Sequence, residues 1–356
     1  MHQTLKTYFH KYKLDGFLIT DLNNVRYLSN FTGTNGMILA TPGRGYFFTD
    51  FRYREQSAKE VKGFKIIESH CDIGGTIVAF LKKHKIKKLG FESGAMNYNQ
   101  FARLHKYLSG VKLIPVTEDP ALIRVIKTEA EVKQIEHALK INKLAFEEIR
   151  HQIKPGVKEF EVALMLEFSL REHGAEKLAF DTIVASGWRG ALPHGKASTK
   201  KIRAGELVTI DFGGVYRGYH ADETVTIGLE IRNLPIRQAG SKLEIIHRIV
   251  YDAQRYAIEV ACPGAKCSDV DKAARDYIAK KGYGQYFGHA LGHGVGLEVH
   301  ERPVLSPNST DILQEGMVFT IEPGIYIPKF GGVRIEDVFA CTWTGVRRLS
   351  KIDKKS

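Results

Sequence analysis

Two stretches of this sequence place carboxylates inside apolar, β-branched runs. In ELVTIDFGGVYRGYHADETVTIG (206 to 228), Asp211 and Asp222 lie in strand-like runs on either side of a Tyr-Arg-Gly-Tyr turn. A hairpin centred between Tyr216 and Arg217 sets the two aspartates directly opposite each other. A tip at Arg217-Gly218 is one residue off, which a single bulge absorbs. Aspartate is unfavourable in strand interiors, and facing carboxylates repel unless a cation lies between them. MVFTIEPGIYIPKFGGVRIEDVFA (317 to 340) repeats the pattern, with Glu322 and Glu336 flanking a turn whose middle is Lys329. Four converging carboxylates call for more than one unit of bound positive charge, and two divalent ions about 3.5–4 Å apart supply it.

Between the two hairpins lies GHALGHGVGLEVHE (288 to 301), in which Gly292 and Gly294 flank His293 and let backbone approach closely. One nitrogen among four carboxylates suits manganese or cobalt, with zinc as an alternative. A lone strand aspartate is ordinarily an edge or turn residue, and a lone histidine among glycines a loop residue. Two acid-bearing hairpins with a histidine between them are not explained that way. His194, in GWRGALPHGKAST, and His300 are loop histidines that could bind substrate or move protons. Arg334 lies two residues before Glu336, hence on the same strand face.

Elements must position these residues. At 356 residues the chain is long enough for two domains. With 43% hydrophobic and 26% charged residues, it reads as soluble and globular. No run is apolar enough to span a membrane, and no signal peptide is expected from the opening residues. Four cysteines without a CxxC pair read as reduced thiols of a cytoplasmic protein. The net charge of +12 and the run Lys82, Lys83, Lys85, Lys87 and Lys88 read as a solvated face, because no nucleic-acid module accompanies them.

Residues 1–120 alternate strand and helix patterns, with strands near 16–20, 36–40, 45–49, 64–68, 87–91 and 111–116 and helices near 3–13, 51–61, 75–84 and 97–108. This is an α/β domain. The second domain, 121–356, opens with a helix capped by Thr128 and Glu131. It carries an internal repeat: Pro155-Gly156, Lys158, Val162 and Gly174 recur 108 residues later as Pro263-Gly264, Lys266, Val270 and Gly282. Two similar halves leave a cleft along a pseudo-twofold axis, where a site built from both would sit.

DFGG, GHGVGLEVHE, IEPGIY and GGVRIEDV, with ALIRVIKTEAEV and FDTIVASGWRGALPHGKAS before them, resemble the pita-bread metallopeptidases of the aminopeptidase P and prolidase branch. The likeness covers nearly the whole chain and is strongest to small bacterial Xaa-Pro aminopeptidases. It implies a creatinase-like N-terminal α/β domain and an α+β pita-bread catalytic domain. Asp211 would chelate one metal, Asp222 and Glu336 would bridge, and His293 and Glu322 would complete the other. Glu322 would also be the general base, His194 and His300 would orient substrate and stabilise the tetrahedral intermediate, and Arg334 would brace the carboxylates. An Xaa-Pro aminopeptidase using two Mn2+ ions, with Co2+ or Zn2+ as alternatives, is the main expectation, and an Xaa-Pro dipeptidase is the alternative. A non-catalytic pita-bread binding protein is the alternative of another class. The resemblance also implies a homodimer acting on peptides with proline second, and the composition points to neither a membrane nor a nucleic acid as partner. One departure stands out: where the family reads close to D-M/I-T-R-T, this chain has Asp222-Glu223-Thr224-Val225-Thr226. Glu223 and Val225 are therefore expected to alter local charge balance and substrate anchoring.

Overall fold

The computed structural model describes residues 2–70, 72–229 and 239–354, which belong to two compact units, Met1–Arg124 and Val125–Ser356. The break follows Arg124 rather than residue 120 because Ile123 and Arg124 are buried in the first unit. There Arg124 donates to the Asn24 side chain and pairs with Asp21 at 3.8 Å.

The first unit runs α1 (Gln3–Tyr12), β1 (Gly16–Ile19), α2 (Leu22–Ser29), β2 (Met37–Ala40), β3 (Gly45–Asp50), α3 (Arg54–Glu60), β4 (Lys65–Ser69), α4 (Ile73–Lys83), β5 (Lys88–Glu92), α5 (Tyr98–Tyr107) and β6 (Lys112–Val116). Its sheet has the order β4-β3-β2-β1-β5-β6. Side chains alternate between the faces of a strand, and both faces are covered. Phe17, Ile19, Ile38 and Phe47 pack with Leu5 and Tyr8 of α1, while Leu18, Leu39 and Phe48 pack with Ile77 and Leu81 of α4. Burial on both sides is why these strands read as continuous apolar runs.

The second unit opens with α6 (Glu129–Ile149), where Thr128 and Glu131 form the reciprocal cap. There follow α7 (Glu159–Glu172), β7 (Lys177–Leu178), β8 (Ile183–Ser186), β9 (Leu207–Phe212), β10 (Gly214–Tyr216), β11 (Tyr219–His220) and β12 (Glu223–Gly228). The second half has α8 (Ala239–Val260), α9 (Cys267–Lys280), β13 (Gly292–Gly294), β14 (Glu301–Leu305), β15 (Val318–Ile321), β16 (Gly324–Ile327), β17 (Gly331–Arg334), β18 (Asp337–Thr342) and β19 (Gly345–Arg348).

The repeat is structural. Gly156 and Gly264 take φ of 97° and 87°, and their N–H groups bond to the carbonyls of Ile202 and Leu313. Lys158 and Lys266 occupy the N-caps of α7 and α9, each bridging to a passing extended segment at Lys201 and Ile312. Val162 and Val270 are both wholly buried.

In the first half α7 and the end of α6 cover the sheet β12-β9-β8; in the second, α8 and α9 cover β14-β13-β15-β18-β19. The start of α6 crosses over, Val132 and Ile135 packing with Val318 and Val338. The halves join where the Glu336 amide donates to the Thr224 carbonyl at 3.2 Å. Among the described residues no helix is long and apolar enough to cross a membrane.

Candidate metal centre

Asp211 is the penultimate residue of β9 and Asp222 immediately precedes β12. Arg217 and Gly218, with φ of 47° and 79°, form the hairpin tip, and one register runs from there through Tyr216–Tyr219 to Asp211–Thr224. No bulge realigns it, so Asp211 faces Thr224 and Asp222 is its diagonal neighbour rather than its direct partner. The ladder instead breaks between β10 and β9, where a Cβ on Gly213 would stand 1.9 Å from the Ala221 carbonyl oxygen. The second hairpin has the expected register: Lys329, at φ 64°, is its centre, and pairings from Gly324–Arg334 to Val318–Ala340 bring Glu322 and Glu336 opposite each other.

His293 lies on β13, pressed between other strands. A Cβ on Gly292 or Gly294 would come within 2.1 Å of the carbonyl oxygen of Thr320 or Arg302 respectively. Its Nδ1 is 3.1 Å from the Gly294 carbonyl oxygen, which fixes the proton there and turns Nε2 toward the acids. Nε2 is 3.3 Å from Glu322 and 3.6 Å from Asp222. Ligand atoms of Asp222, His293 and Glu336 all lie within 4.8 Å of one another. Glu322 joins them through His293, and Asp211 through Arg334.

Arg334 ties the centre together. It is 4% exposed, and its Nη2 donates to Asp211 at 2.6 Å, Nε to the Thr224 hydroxyl at 2.9 Å, and Nη1 to Tyr326 and to the Pro193 carbonyl. Thr224 in turn donates to Glu336 at 2.8 Å. The Pro193 contact places the loop carrying His194 beside the acids. That loop is pinned from behind by Glu159 of α7, a wholly buried carboxylate accepting from Ser186, Arg189 and Ser198. His300 stands edge-on to His293 with ring centroids 4.3 Å apart.

Two further residues belong to the centre and were not among those expected. His289 Nδ1 bonds the Ala290 carbonyl, leaving Nε2 to accept from the Tyr326 hydroxyl at 2.9 Å, and Tyr326 accepts from Arg334 at 3.0 Å. The signal was present for His289, four residues before His293 in the same glycine-rich run. Tyr326 alternates with strand residues and gives none.

Burial, and then the charges of their carboxylate neighbours, push the Asp222 and Glu336 carboxyls well above the usual range. Burial also raises Asp211, against the pull of Arg334. Burial would raise Glu322 too, but the hydrogen bond and charge of His293 outweigh it and hold it below its ordinary value. Burial lowers His300, helped by repulsion from His293 and His194. Asp211 Oδ1 and Glu336 Oε1 are buried without a hydrogen-bond partner. Orphaned carboxylate oxygens converging on an oriented imidazole are the donor set that hard or borderline divalent cations take, and the residues fit such a group.

Glu223 and Val225 overturn one expectation. They alternate with Asp222, Thr224 and Thr226, so they point away from the centre. Val225 is 2% exposed in the cluster of Ile210, Phe212 and Ile352. Glu223 is wholly buried near Lys354. Neither can touch a substrate beside the acids.

Residues 133–342 match the model of metallopeptidase family M24, and residues 1–126 match the creatinase/prolidase N-terminal domain. A Pyrococcus horikoshii protein named Xaa-Pro dipeptidase is 40% identical over 98% of this chain and 96% of its own length. Among solved structures, an Xaa-Pro dipeptidase from Bacillus anthracis is 42% identical with a TM-score of 0.94, covering 99% of this chain and 97% of that one. An X-Pro aminopeptidase from Thermotoga maritima is 36% identical with a TM-score of 0.88, covering 96% and 97%. The creatinase-type α/β unit and the duplicated α+β unit are thus both accounted for, and the chain belongs to metallopeptidase family M24.

Proposed function

We propose that this protein is an Xaa-Pro dipeptidase that hydrolyses dipeptides with proline second. The observation that carries the reading is the gathering of buried acids from both halves around His293, in a chain matched along its length by proteins named for Xaa-Pro hydrolysis. The relatives named dipeptidase favour this over the aminopeptidase expected from sequence. The Thermotoga maritima likeness keeps the aminopeptidase as the second reading.

Asp211, Asp222, His293, Glu322 and Glu336 would hold two divalent cations, Mn2+ first, with Co2+ or Zn2+ as alternatives. Such cations supply Lewis-acid polarisation of a carbonyl and a water acidic enough to attack near neutral pH. Glu322, held ionised by His293, accepts the proton of the attacking water. His300, kept neutral by burial and its imidazole neighbours, donates a hydrogen bond to the developing oxyanion. His194, on the loop fixed by Glu159, orients the substrate. Arg334 keeps Asp211 and Thr224 in place and touches no substrate.

The test is hydrolysis of Xaa-Pro dipeptides against Xaa-Pro-Yaa tripeptides by metal-stripped protein reloaded with Mn2+, Co2+ or Zn2+. Metal-dependent cleavage of dipeptides alone, lost in Asp222→Asn, is the expected result. Release of the first residue from tripeptides moves the assignment to aminopeptidase. Cleavage of neither substrate with any metal returns the chain to a binding role. A homodimer is part of the proposal, and sedimentation equilibrium reads it independently of activity.

A further inference from the structure

Two of the four acids of the centre come as doublets. Asp222 is followed by Glu223 and Glu336 by Asp337, and in each doublet the first carboxylate faces the centre and the second the opposite side. Glu223 and Asp337 are 0% and 3% exposed, so two carboxylates lie buried behind the centre as well as those within it. One side chain reaches both. Lys354 is 4% exposed, and its ammonium is 2.8 Å from Asp337 and 3.6 Å from Glu223 while donating to the backbone carbonyl of Glu336.

The ammonium is thus within hydrogen-bond distance of Asp337 and the Glu336 carbonyl and forms an ion pair with Glu223, groups drawn from both halves of the unit. The segment that carries Lys354 is itself fastened. Leu349 bonds the Val338 carbonyl, the Ser350 hydroxyl accepts from the Val338 amide at 3.0 Å, and Arg348 bonds the Ile352 carbonyl at 2.7 Å. Asp337 does not depend on Lys354 alone, because Arg348 and Gln254 reach it at 2.7 and 3.1 Å. What Lys354 does that neither of these does is bind the Glu336 backbone and the residue after Asp222 together.

We propose that Lys354 is a positioning residue of the metal centre, its ammonium clamping the Asp222–Glu223 and Glu336–Asp337 doublets from behind so that Asp222 and Glu336 stay at the separation that shared cations need. The inference rests on the metal-centre reading above. It also gives Glu223 a role: an acid in the doublet supplies the second anchor for the clamp on the β12 side.

Replacing Lys354 alone strands buried carboxylates and risks the fold. The wild type is therefore compared with Glu223→Met and with the pair Glu223→Met and Lys354→Met, since Asp337 keeps Arg348 in both. Mn2+ binding is read by equilibrium dialysis and by the spin-resonance signal of free Mn2+, with thermal unfolding of the metal-free proteins alongside. Groups that orient ligands from behind typically change metal affinity by about 10–100-fold. Both variants lose the tie between the doublets, so Glu223→Met and the double variant are each expected to weaken Mn2+ binding at least about tenfold relative to the wild type at an unchanged metal-free melting temperature. At saturating Mn2+ the double variant loses kcat with KM little changed. Wild-type Mn2+ affinity in the double variant overturns the assignment and leaves Lys354 a counter-ion of the fold. A wild-type protein that takes up no divalent cation overturns the metal-centre reading itself, and the clamp with it.

Discussion

Asp222 and Glu336 are held close together in a buried site where their charges oppose each other, and Glu336 Oε1 has no donor. Without a cation between them, these carboxylates work against the fold. Asp222→Asn is therefore predicted to raise the melting temperature of the metal-free protein by roughly 2–4 °C while abolishing the further rise that Mn2+ gives the wild type. Scanning calorimetry with and without Mn2+ decides it, and a lower metal-free midpoint in the variant would contradict the argument. The acids were legible in the sequence because charge inside β-branched runs is costly enough to need a reason. Their exact pairing was not: a symmetric count around the turn makes Asp211 and Asp222 direct partners, while the actual register makes them diagonal. Tyr326 was invisible for a different reason, since a tyrosine in a strand is ordinary and only the Arg334 and His289 contacts mark it out.

The elements were legible where apolar periodicity dominates and hidden where polar contacts decide. The strands of the first sheet were placed to within a residue or two, yet α2 was missed. LNNVRYLS offers a weak apolar stripe, and the helix is held instead by its Asp21 cap and by buried Glu92, which accepts from Thr20, Asp21 and Asn24. The reading of Glu223 and Val225 failed on strand parity, because a family pattern tells which residue is unusual and not which face it occupies. Parity now yields a prediction. Val225→Arg, which restores the commoner family residue, pushes a guanidinium into the cluster around Ile210 and Phe212. It is expected to destabilise the protein by about 3–5 kcal/mol in urea unfolding without lowering KM for any Xaa-Pro substrate. A lower KM at unchanged stability would show that the face has been misassigned.

For the whole molecule, the duplication was readable from a handful of residues because each marks an obligatory backbone event: a Pro-Gly break, a helix start, a glycine stop. The five lysines of the basic run are exposed around the end of α4 and the start of β5, as a solvated face requires. The fold's response to pH was not readable. His247 of α8 is 5% exposed, and burial holds its imidazole below the ordinary value. A depressed folded pKa leaves stability intact above the unfolded value of about 6.5 and erodes it as pH falls below that. His247→Leu is predicted to flatten the stability profile between neutral pH and the acid limb, measured by urea midpoints at successive pH values. An unchanged slope would remove His247 as its source.

The repeat has one more consequence. Asp211 and Asp222 come from one copy of the folding unit, and His293, Glu322 and Glu336 from the other, so neither copy holds a complete set. If both descend from a single ancestral segment, that segment could have captured its cations only by meeting a twin. Self-association and metal uptake would then have been one event, and fusing the two copies into one chain freed the centre from its dependence on protein concentration.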